Sequence, residues 1–467
     1  MRELKKAGWS SRSVKEEMRA NLIAMLKDGK PLFQGIVGYE RSVIPAIENA
    51  ILSGHDMIFL GERGQAKTRI IRSLTNILDE WIPCIAGCEI NDDPLQPACR
   101  HCRDRIEKEG DDLAIEWLHR SQRYGEKLAT PDVSIGDLIG EIDPVKVAEG
   151  RYLADERTIH FGLIPRTNRG VFAINELPDL AEKVQVGLFN IMEERDFQIK
   201  GFKVMLPLDV VIVASANPED YTHRGRIITP LKDRFASQVR THYPEKREME
   251  IAIMEQERRQ VGKEIIPVKA PGFIKDIVAQ VTIEARSSPE INQRSGVSVR
   301  MTIANYENIL SNAMKRAISL GEKYAVPRIS DLFAIYSSSR GKIELEYAGE
   351  ERDESEVVQL LIQRAIKNVF DRIFTVEEFS PFEDIFNAGA VMEVSAAMPS
   401  EDYMDVYAEA PELRAAAEKL GCSESSPPEL ASVAEFILEG LHLNKRLNKK
   451  DLEMKKVYQG KAPGLAL

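Results

Sequence analysis

Residues 61–68 combine small residues with one lysine and one threonine, in the spacing of a phosphate-binding loop. Small residues leave room for backbone N–H groups to turn towards phosphate oxygens. Lys67 would reach the β- and γ-phosphates of ATP, and Thr68 would bind Mg²⁺ through its hydroxyl. Ala66 replaces the last glycine of the usual pattern, and the alternative interpretation is a glycine-rich turn with an exposed lysine. The predicted binding residues are Gly61, Glu62, Arg63, Gly64, Gln65, Ala66, Lys67 and Thr68.

Asn175 and Glu176 follow a short apolar run at residues 171–174, where a buried strand is expected to end. A carboxylate at that place can orient a water for attack on the γ-phosphate, so Glu176 is the candidate catalytic residue. Asn175 stands where an aspartate normally supports Mg²⁺, and its amide adds no charge. The sequence therefore predicts slow hydrolysis or weak metal binding. The alternative is a strand that ends at a helix cap.

Three further polar residues could take part in phosphate transfer. Asn217 ends the apolar run at 210–216 and would hold the attacking water or the γ-phosphate, although Asn-Pro also ends strands in ordinary turns. Arg234 would neutralise charge on the transferred phosphoryl group of a neighbouring subunit, and its alternative is a surface ion pair. Arg300 lies in the first turn of a predicted helix, where a cation opposes the helix dipole, which favours a functional role.

Four of the five cysteines lie in one short segment, as a C-x3-C pair and a C-x2-C pair. Two such pairs can supply four soft ligands to tetrahedral Zn²⁺. The predicted ligands are Cys84, Cys88, Cys99 and Cys102, with residues 91–94 as the turn between the pairs. We expect structural zinc, and the alternatives are reduced buried cysteines or an iron–sulfur cluster.

The elements that position these residues alternate between strands and helices in the first half of the chain. Short apolar runs are followed by helical patterns, one of them from residue 67 to about 81. This alternation predicts an α/β fold with a mostly parallel sheet and helices on both faces. From about residue 244 onward the pattern is helical.

We predict four segments from these patterns. They are an N-terminal helical segment at 1–30, an α/β nucleotide-binding domain at 31–245 with a cysteine-bearing insertion at 84–125, a helical lid at 246–345 and a helical C-terminal region at 346–467.

The composition is that of an ordinary globular protein, with 43% hydrophobic and 29% charged residues. The formal net charge of −11 disfavours a dedicated nucleic-acid binder. The N-terminus lacks an apolar signal segment, and the most apolar run, at 204–216, is too short to span a bilayer. We therefore expect a cytoplasmic protein without membrane contact and with reduced cysteines.

In their order along the chain, the motifs resemble those of AAA+ ATPases, specifically the magnesium-chelatase ATPase subunit and its MoxR-type relatives. Residues 35–40 are similar to the segment near the adenine, 61–68 to the Walker A loop in its Ala-Lys-Thr form, and 168–176 to the Walker B strand. Residues 137–140 resemble the start of the helix-2 insertion, and residues 195–201 resemble the β-hairpin before sensor 1.

The resemblance spans about residues 30–320 and implies roles for three residues: Asn217 as sensor 1, Arg234 as the arginine finger and Arg300 as sensor 2. It also implies ATP and Mg²⁺ as cofactors and a homo-oligomeric ring, with a hexamer as the expected size. The implied partner is a protein with an integrin-like metal-binding domain. The insertion and the region beyond about 345 have no counterpart that we assign to tetrapyrrole chemistry.

Three hypotheses about function follow. The leading one is an ATP-driven motor that remodels a partner protein, with metal insertion as a magnesium-chelatase-like output. A nucleotide-responsive scaffold with little hydrolysis is the second, and Asn175 supports it. A nucleic-acid motor is the third; only Lys200 and Lys203 support it, and the acidic net charge disfavours it.

Overall fold

A computed structural model describes eleven stretches of the chain. They are residues 1–145, 156–194, 197–199, 202–204, 206–217, 225–260, 266–293, 296–346, 353–422, 426–452 and 455–461. The chain divides into two compact units, Met1–His242 and Tyr243–Leu467. The four predicted segments are thus arranged as two units.

The first unit contains the following strands and helices. Its strands are β1 (Met57–Leu60), β2 (Trp81–Ile85), β3 (Ile115–His119), β4 (Tyr124–Leu128), β5 (Gly140–Ile142), β6 (Ile159–Phe161), β7 (Gly170–Asn175), β8 (Phe197–Ile199), β9 (Phe202–Val204), β10 (Val210–Ala216) and β11 (Ser237–Arg240). Its helices are α1 (Arg2–Lys6), α2 (Val14–Lys27), α3 (Val43–Leu52), α4 (Lys67–Ser73), α5 (Arg100–Glu109), α6 (Ile135–Leu138), α7 (Leu163–Arg166), α8 (Glu182–Glu194) and α9 (Thr229–Arg234).

Five of these strands form a parallel sheet in the order β11-β1-β10-β7-β4. The pairs β2–β3, β5–β6 and β8–β9 form separate antiparallel ribbons. Along β1, Met57 and Phe59 pack into one core while Ile58 and Leu60 pack into another, because successive strand residues point to opposite faces. Each face is covered, which explains why the strands are continuously apolar. The predicted parallel sheet flanked by helices is confirmed.

The N-terminal helix α2 belongs to this unit. Val14, Met18 and Leu22 are buried in the same core as Phe59 and Val213 of the sheet. The predicted boundary at residue 30 therefore does not separate two units in the described chain. The sequence predicts the helical pattern of α2, but the residues against which α2 packs are far away in the sequence.

A buried ion pair also joins α2 to the sheet. The side chain of Arg123 is fully buried, and its guanidinium donates to both carboxylate oxygens of Glu17, at 2.6 and 2.8 Å. It also donates to the carbonyl of Arg169, 2.8 Å away, just before β7. A charge buried in this way is tolerated because its hydrogen bonds are satisfied.

Replacing Glu17 by glutamine is expected to lower the free energy of unfolding by about 3–5 kcal/mol, because Arg123 would keep its charge without a counterion. Urea denaturation measures this loss. Asp112→Asn is the control, since Asp112 is 83% exposed and pairs with Arg2 at the surface, where such pairs contribute at most about 1 kcal/mol. Equal effects of the two substitutions would contradict the expectation.

Two local predictions differ from the structure. The helix expected at 67–81 ends at Ser73, and a 3₁₀ turn at Leu74–Ile77 leads into β2, which begins at Trp81. The insertion expected at 84–125 overlaps β4, which pairs with β7 in the main sheet. Strand β4 reads Tyr-Gly-Glu-Lys-Leu and lies at the sheet edge, so it lacks the apolar run that marks a central strand.

The second unit is mainly helical but not entirely so. Its helices are α10 (Arg247–Glu257), α11 (Gly272–Ser287), α12 (Val299–Leu320), α13 (Ile335–Ser339), α14 (Glu354–Ile373), α15 (Ser380–Asn387), α16 (Met404–Glu409), α17 (Pro411–Lys419) and α18 (Pro427–Leu443). Its strands are β12 (Val391–Val394), β13 (Asn448–Leu452) and β14 (Lys455–Gln459), which pair in the order β12-β14-β13.

The predicted lid (246–345) and C-terminal region (346–467) share one hydrophobic core that runs from Met254 to Tyr458. The predicted helical C-terminal region is confirmed, and it also contains the three strands β12, β13 and β14. In the described chain, no helix combines the length and apolar character needed to cross a bilayer.

Candidate functional site

Residues 61–68 connect the end of β1 to the start of α4. Gly64 and Ala66 adopt left-handed backbone conformations, with φ of 77° and 57°. Left-handed geometry is strained for alanine, which explains why glycine is usual at the latter position. The Lys67 ammonium donates to the carbonyl oxygens of Gly61 and Glu62, the latter at 2.8 Å. The loop thus turns sharply between strand and helix, with the Lys67 ammonium hydrogen-bonded to carbonyls of the loop itself.

Hydrogen bonds from neighbouring side chains hold this loop in place. The hydroxyl of Thr241 donates to Oε1 of Gln65 at 2.7 Å, and the hydroxyl of Tyr39 lies 3.0 Å from the Gln65 carbonyl oxygen. Burial raises the pKa of Tyr39 to about 12, so this hydroxyl stays protonated. A Cβ atom at Gly61 would overlap Thr241 and Gln65, which explains the need for glycine there. A cleft of about 340 Å³ borders the loop.

Asn175, at the end of β7, contacts a carboxylate that the sequence analysis did not identify. Its Nδ2 donates to Oε1 of Glu126 at 2.6 Å, and its Oδ1 accepts from the Ser215 hydroxyl at 3.3 Å. Arg72 donates to both Glu126 oxygens, at 2.7 and 2.9 Å, and the hydrogen bond from Arg72 is the main cause that lowers the pKa of Glu126. Arg72 lies one turn after Thr68 on α4, so helix and sheet meet at this carboxylate.

Glu176 follows β7 in a left-handed conformation, with φ of 57°. Its backbone N–H donates to the Ser215 hydroxyl at 3.3 Å. Such conformations cost about 1–2 kcal/mol in a residue with a side chain and are concentrated at functional sites.

Asn217 follows β10, the strand between β1 and β7. It is 3% exposed, and its Oδ1 has no hydrogen-bond partner among the described residues. Buried polar atoms are rarely left unpaired, so this amide suits a ligand or a water. The carboxyl ends of β1, β10 and β7 thus bring residues 61–68, Asn217 and Glu176 to one edge of the sheet.

The two predicted arginines lie on two helices, α9 and α12. Arg234 ends α9, pairs with Glu193 at 2.7 Å, and has its guanidinium carbon 5.4 Å from the centre of the Phe189 ring. This is the surface pair that the sequence analysis considered as an alternative. Arg300 belongs to the second unit, where it is exposed in the first turn of α12, and its backbone N–H donates to the Ser298 hydroxyl at 3.1 Å.

The cysteine segment differs from its predicted ligand set. Ligand atoms of Cys88, Asp92, Cys99 and Cys102 lie within 4.8 Å of one another. Cys84 is outside this group, and its thiol contacts Glu116 at 3.7 Å. Cys84 lies in β2, where alternate residues face opposite sides, and it packs with Ile82 and Leu118 in a small core of its own. The group therefore contains Asp92 in place of the predicted Cys84.

The predicted hairpin at 195–201 is only partly described. Strands β8 and β9 pair antiparallel, while Arg195, Asp196, Lys200 and Gly201 lie outside the described residues, as does Pro218.

Comparison with known proteins identifies related chains. A family model described as "Sigma-54 interaction domain" matches residues 147–235. The chain is 25% identical over 238 residues to magnesium-chelatase subunit ChlI-2, chloroplastic, of Arabidopsis thaliana, a match covering 49% of this chain and 52% of that protein. It is 28% identical over 219 residues to a magnesium-chelatase subunit ChlI homolog of Methanocaldococcus jannaschii, covering 44% and 53%. The chain spans about half the length of the curated relatives it matches.

One similar solved structure is a model of the complex between subunits BchI and BchD of magnesium chelatase. It is 17% identical, with a TM-score of 0.33, and the match covers 74% of this chain and 97% of that chain.

Proposed function

We propose that this chain, which belongs to the AAA+ proteins of the magnesium-chelatase ATPase-subunit type, binds MgATP at residues 61–68 and hydrolyses it to ADP and phosphate. The observation that carries this proposal is the meeting of the loop, Glu176 and Asn217 at the carboxyl ends of three adjacent strands. Ligands of open parallel sheets bind at this edge. Lys67 would exchange its loop carbonyls for phosphate oxygens.

Hydrolysis would depend on two residues that follow the sheet strands. Glu176 would accept a proton from the attacking water and orient it towards the γ-phosphate. Asn217 would bind the same water or the γ-phosphate through its buried amide, whose oxygen has no hydrogen-bond partner in the described chain. Their positions directly after the adjacent strands β7 and β10 support this division of roles.

Mg²⁺ would bind the Thr68 hydroxyl and, through water, the side chain of Asn175. Asn175 has no charge, but the Glu126 carboxylate is hydrogen-bonded to it at 2.6 Å. We propose that Glu126 supplies the negative charge that an aspartate at position 175 would otherwise provide. The negative charge would then lie behind the Asn175 amide and not at position 175 itself, and we expect slower turnover for that reason.

The motor would be a homo-oligomeric ring, with a hexamer as the expected size, in the cytoplasm. Arg234 would leave Glu193 and reach the ATP of the neighbouring subunit, where a cation stabilises the transferred phosphoryl group. Arg300, exposed at the start of α12, would act as sensor 2 on a neighbour's nucleotide. ATP-driven motion would remodel a partner with an integrin-like metal-binding domain, with metal insertion as the output.

A nucleotide-responsive scaffold with little hydrolysis is the second candidate. The uncharged Asn175 and the Arg234–Glu193 pair favour it, since both would restrain turnover. The two candidates differ in whether assembled rings turn ATP over.

Mixing two inactive variants tests the proposal. Glu176→Gln keeps the arginine but lacks the base, and Arg234→Ala keeps the base but lacks the arginine. In a one-to-one mixture of ring subunits about a quarter of the interfaces combine both intact residues, so phosphate release should recover to about a quarter of the wild-type rate.

The control mixes Glu176→Gln with a chain that carries both substitutions, which creates no intact interface. Native mass spectrometry verifies that subunits exchange. Mixed rings without recovered turnover would contradict an arginine shared between subunits, and wild-type rings that bind ATP without turnover would favour the scaffold.

A further inference from the structure

The group formed by Cys88, Asp92, Cys99 and Cys102 has the dimensions of a site for one metal ion. Their ligand atoms lie within 4.8 Å of one another. Zn–S bonds of about 2.3 Å in a tetrahedron place sulfurs about 3.8 Å apart. Asp92 and Cys102 are fully buried and Cys99 is 4% exposed. An iron–sulfur cluster holds its cysteines further apart, because several irons lie between them.

Hydrogen bonds already orient two of these ligands. Cys99 caps the N-terminus of α5, where its Sγ accepts the N–H of Cys102 at 3.3 Å. The two carboxylate oxygens of Asp92 accept backbone N–H groups from Ala98 and Cys99, at 3.1 and 3.0 Å. A helix N-terminus favours a thiolate, and supporting hydrogen bonds of this kind are typical of metal ligands.

Positive charges flank the group. Arg103 donates to the Ala98 carbonyl at 3.0 Å and Arg105 to the Ala86 carbonyl at 2.7 Å, so both guanidiniums are held beside the segment. Three thiolates, one carboxylate and Zn²⁺ would carry a net charge of about −2. The two arginines also pair with carboxylates, Arg103 with Glu156 at 3.8 Å and Arg105 with Glu109 at 3.0 Å. The ligand set and its burial agree with a closed structural site.

We propose that Cys88, Asp92, Cys99 and Cys102 bind one Zn²⁺. This proposal does not depend on whether the chain hydrolyses ATP. The site has a structural consequence for the sheet. Asp93, next to the ligand Asp92, pairs with Arg169 at 3.2 Å in a buried contact, and Arg169 immediately precedes β7. Zinc would thus fix the segment against the strand that ends in Asn175.

Metal analysis of the full chain tests this assignment. We expect one zinc per chain in the wild-type protein and none in Cys99→Ser/Cys102→Ser. Cys84→Ser and Cys422→Ser are the matched controls and should each keep one zinc, because both cysteines lie outside the group. Asp92→Asn should lose its zinc at a chelator concentration at which the wild-type protein keeps its zinc.

A measurement on the unaltered protein covers the case in which the double variant fails to fold. X-ray absorption of the zinc-bound wild-type chain should show three sulfur ligands and one oxygen. Four sulfurs, zinc loss in Cys84→Ser, iron with sulfide, or a metal-free chain with a disulfide among Cys88, Cys99 and Cys102 would each overturn the proposal.

Discussion

Replacing Glu176 by glutamine is expected to reduce ATP turnover by about 10²- to 10⁴-fold while ATP binding stays unchanged. Glutamine has nearly the same size and can occupy the same left-handed position, but it cannot accept a proton from the attacking water. Steady-state phosphate release measures the turnover, and the fluorescence of a labelled nucleotide measures the binding.

Two further variants make this result specific. Lys67→Ala should lose ATP binding as well as turnover, because the ammonium that contacts the phosphates is removed. Glu182→Gln changes an exposed carboxylate at the start of α8 and should alter neither value. Turnover at the wild-type rate in Glu176→Gln would show that another group activates the water.

Replacing Glu126 by glutamine should raise the Mg²⁺ concentration needed for half-maximal turnover by about 10- to 100-fold. The carboxylate is held by Arg72 and hydrogen-bonded to Asn175, and Arg72 keeps the pKa of Glu126 low, so the group is charged at neutral pH. Adding Asn175→Asp to Glu126→Gln returns one carboxylate to the site and should restore most of the Mg²⁺ affinity. Turnover measured across Mg²⁺ concentrations gives the Mg²⁺ concentration needed for half-maximal turnover.

Tyr124→Phe is the matched control for this experiment. It removes a hydrogen bond of 3.0 Å to the same Glu126 carboxylate but leaves its charge in place, so the Mg²⁺ requirement should change little. A purely structural role for Glu126 would lower the melting temperature of Glu126→Gln without any change in Mg²⁺ requirement, and Asn175→Asp would then fail to rescue it.

Local patterns in the sequence were sufficient to predict the central strands and the turn that connects β1 to α4. Strands β1, β7 and β10 are buried on both faces, so each is a short apolar run that ends at a glycine or a polar residue. Strand β4 has no such run because it lies at the edge of the sheet. Glu126 was missed for the same reason: its position depends on the pairing of β4 with β7, a long-range contact that leaves no local pattern.

The cysteine segment shows a different limit. Spacing alone grouped four cysteines, but β2 directs Cys84 to the side opposite its neighbour Ile85. Asp92 was interpreted only as part of a turn, since aspartate is common there. Its burial and its two backbone hydrogen bonds become apparent only when the segment is folded.

The ion pair between Arg123 and Glu17 limits where the chain can be shortened in the laboratory. A fragment that starts at residue 31, the predicted domain boundary, would keep the buried guanidinium and lose its counterion. It would also expose the apolar surface that α2 covers. Fragments intended for crystallisation or nucleotide titration should therefore begin before Ser13, whose side chain caps α2.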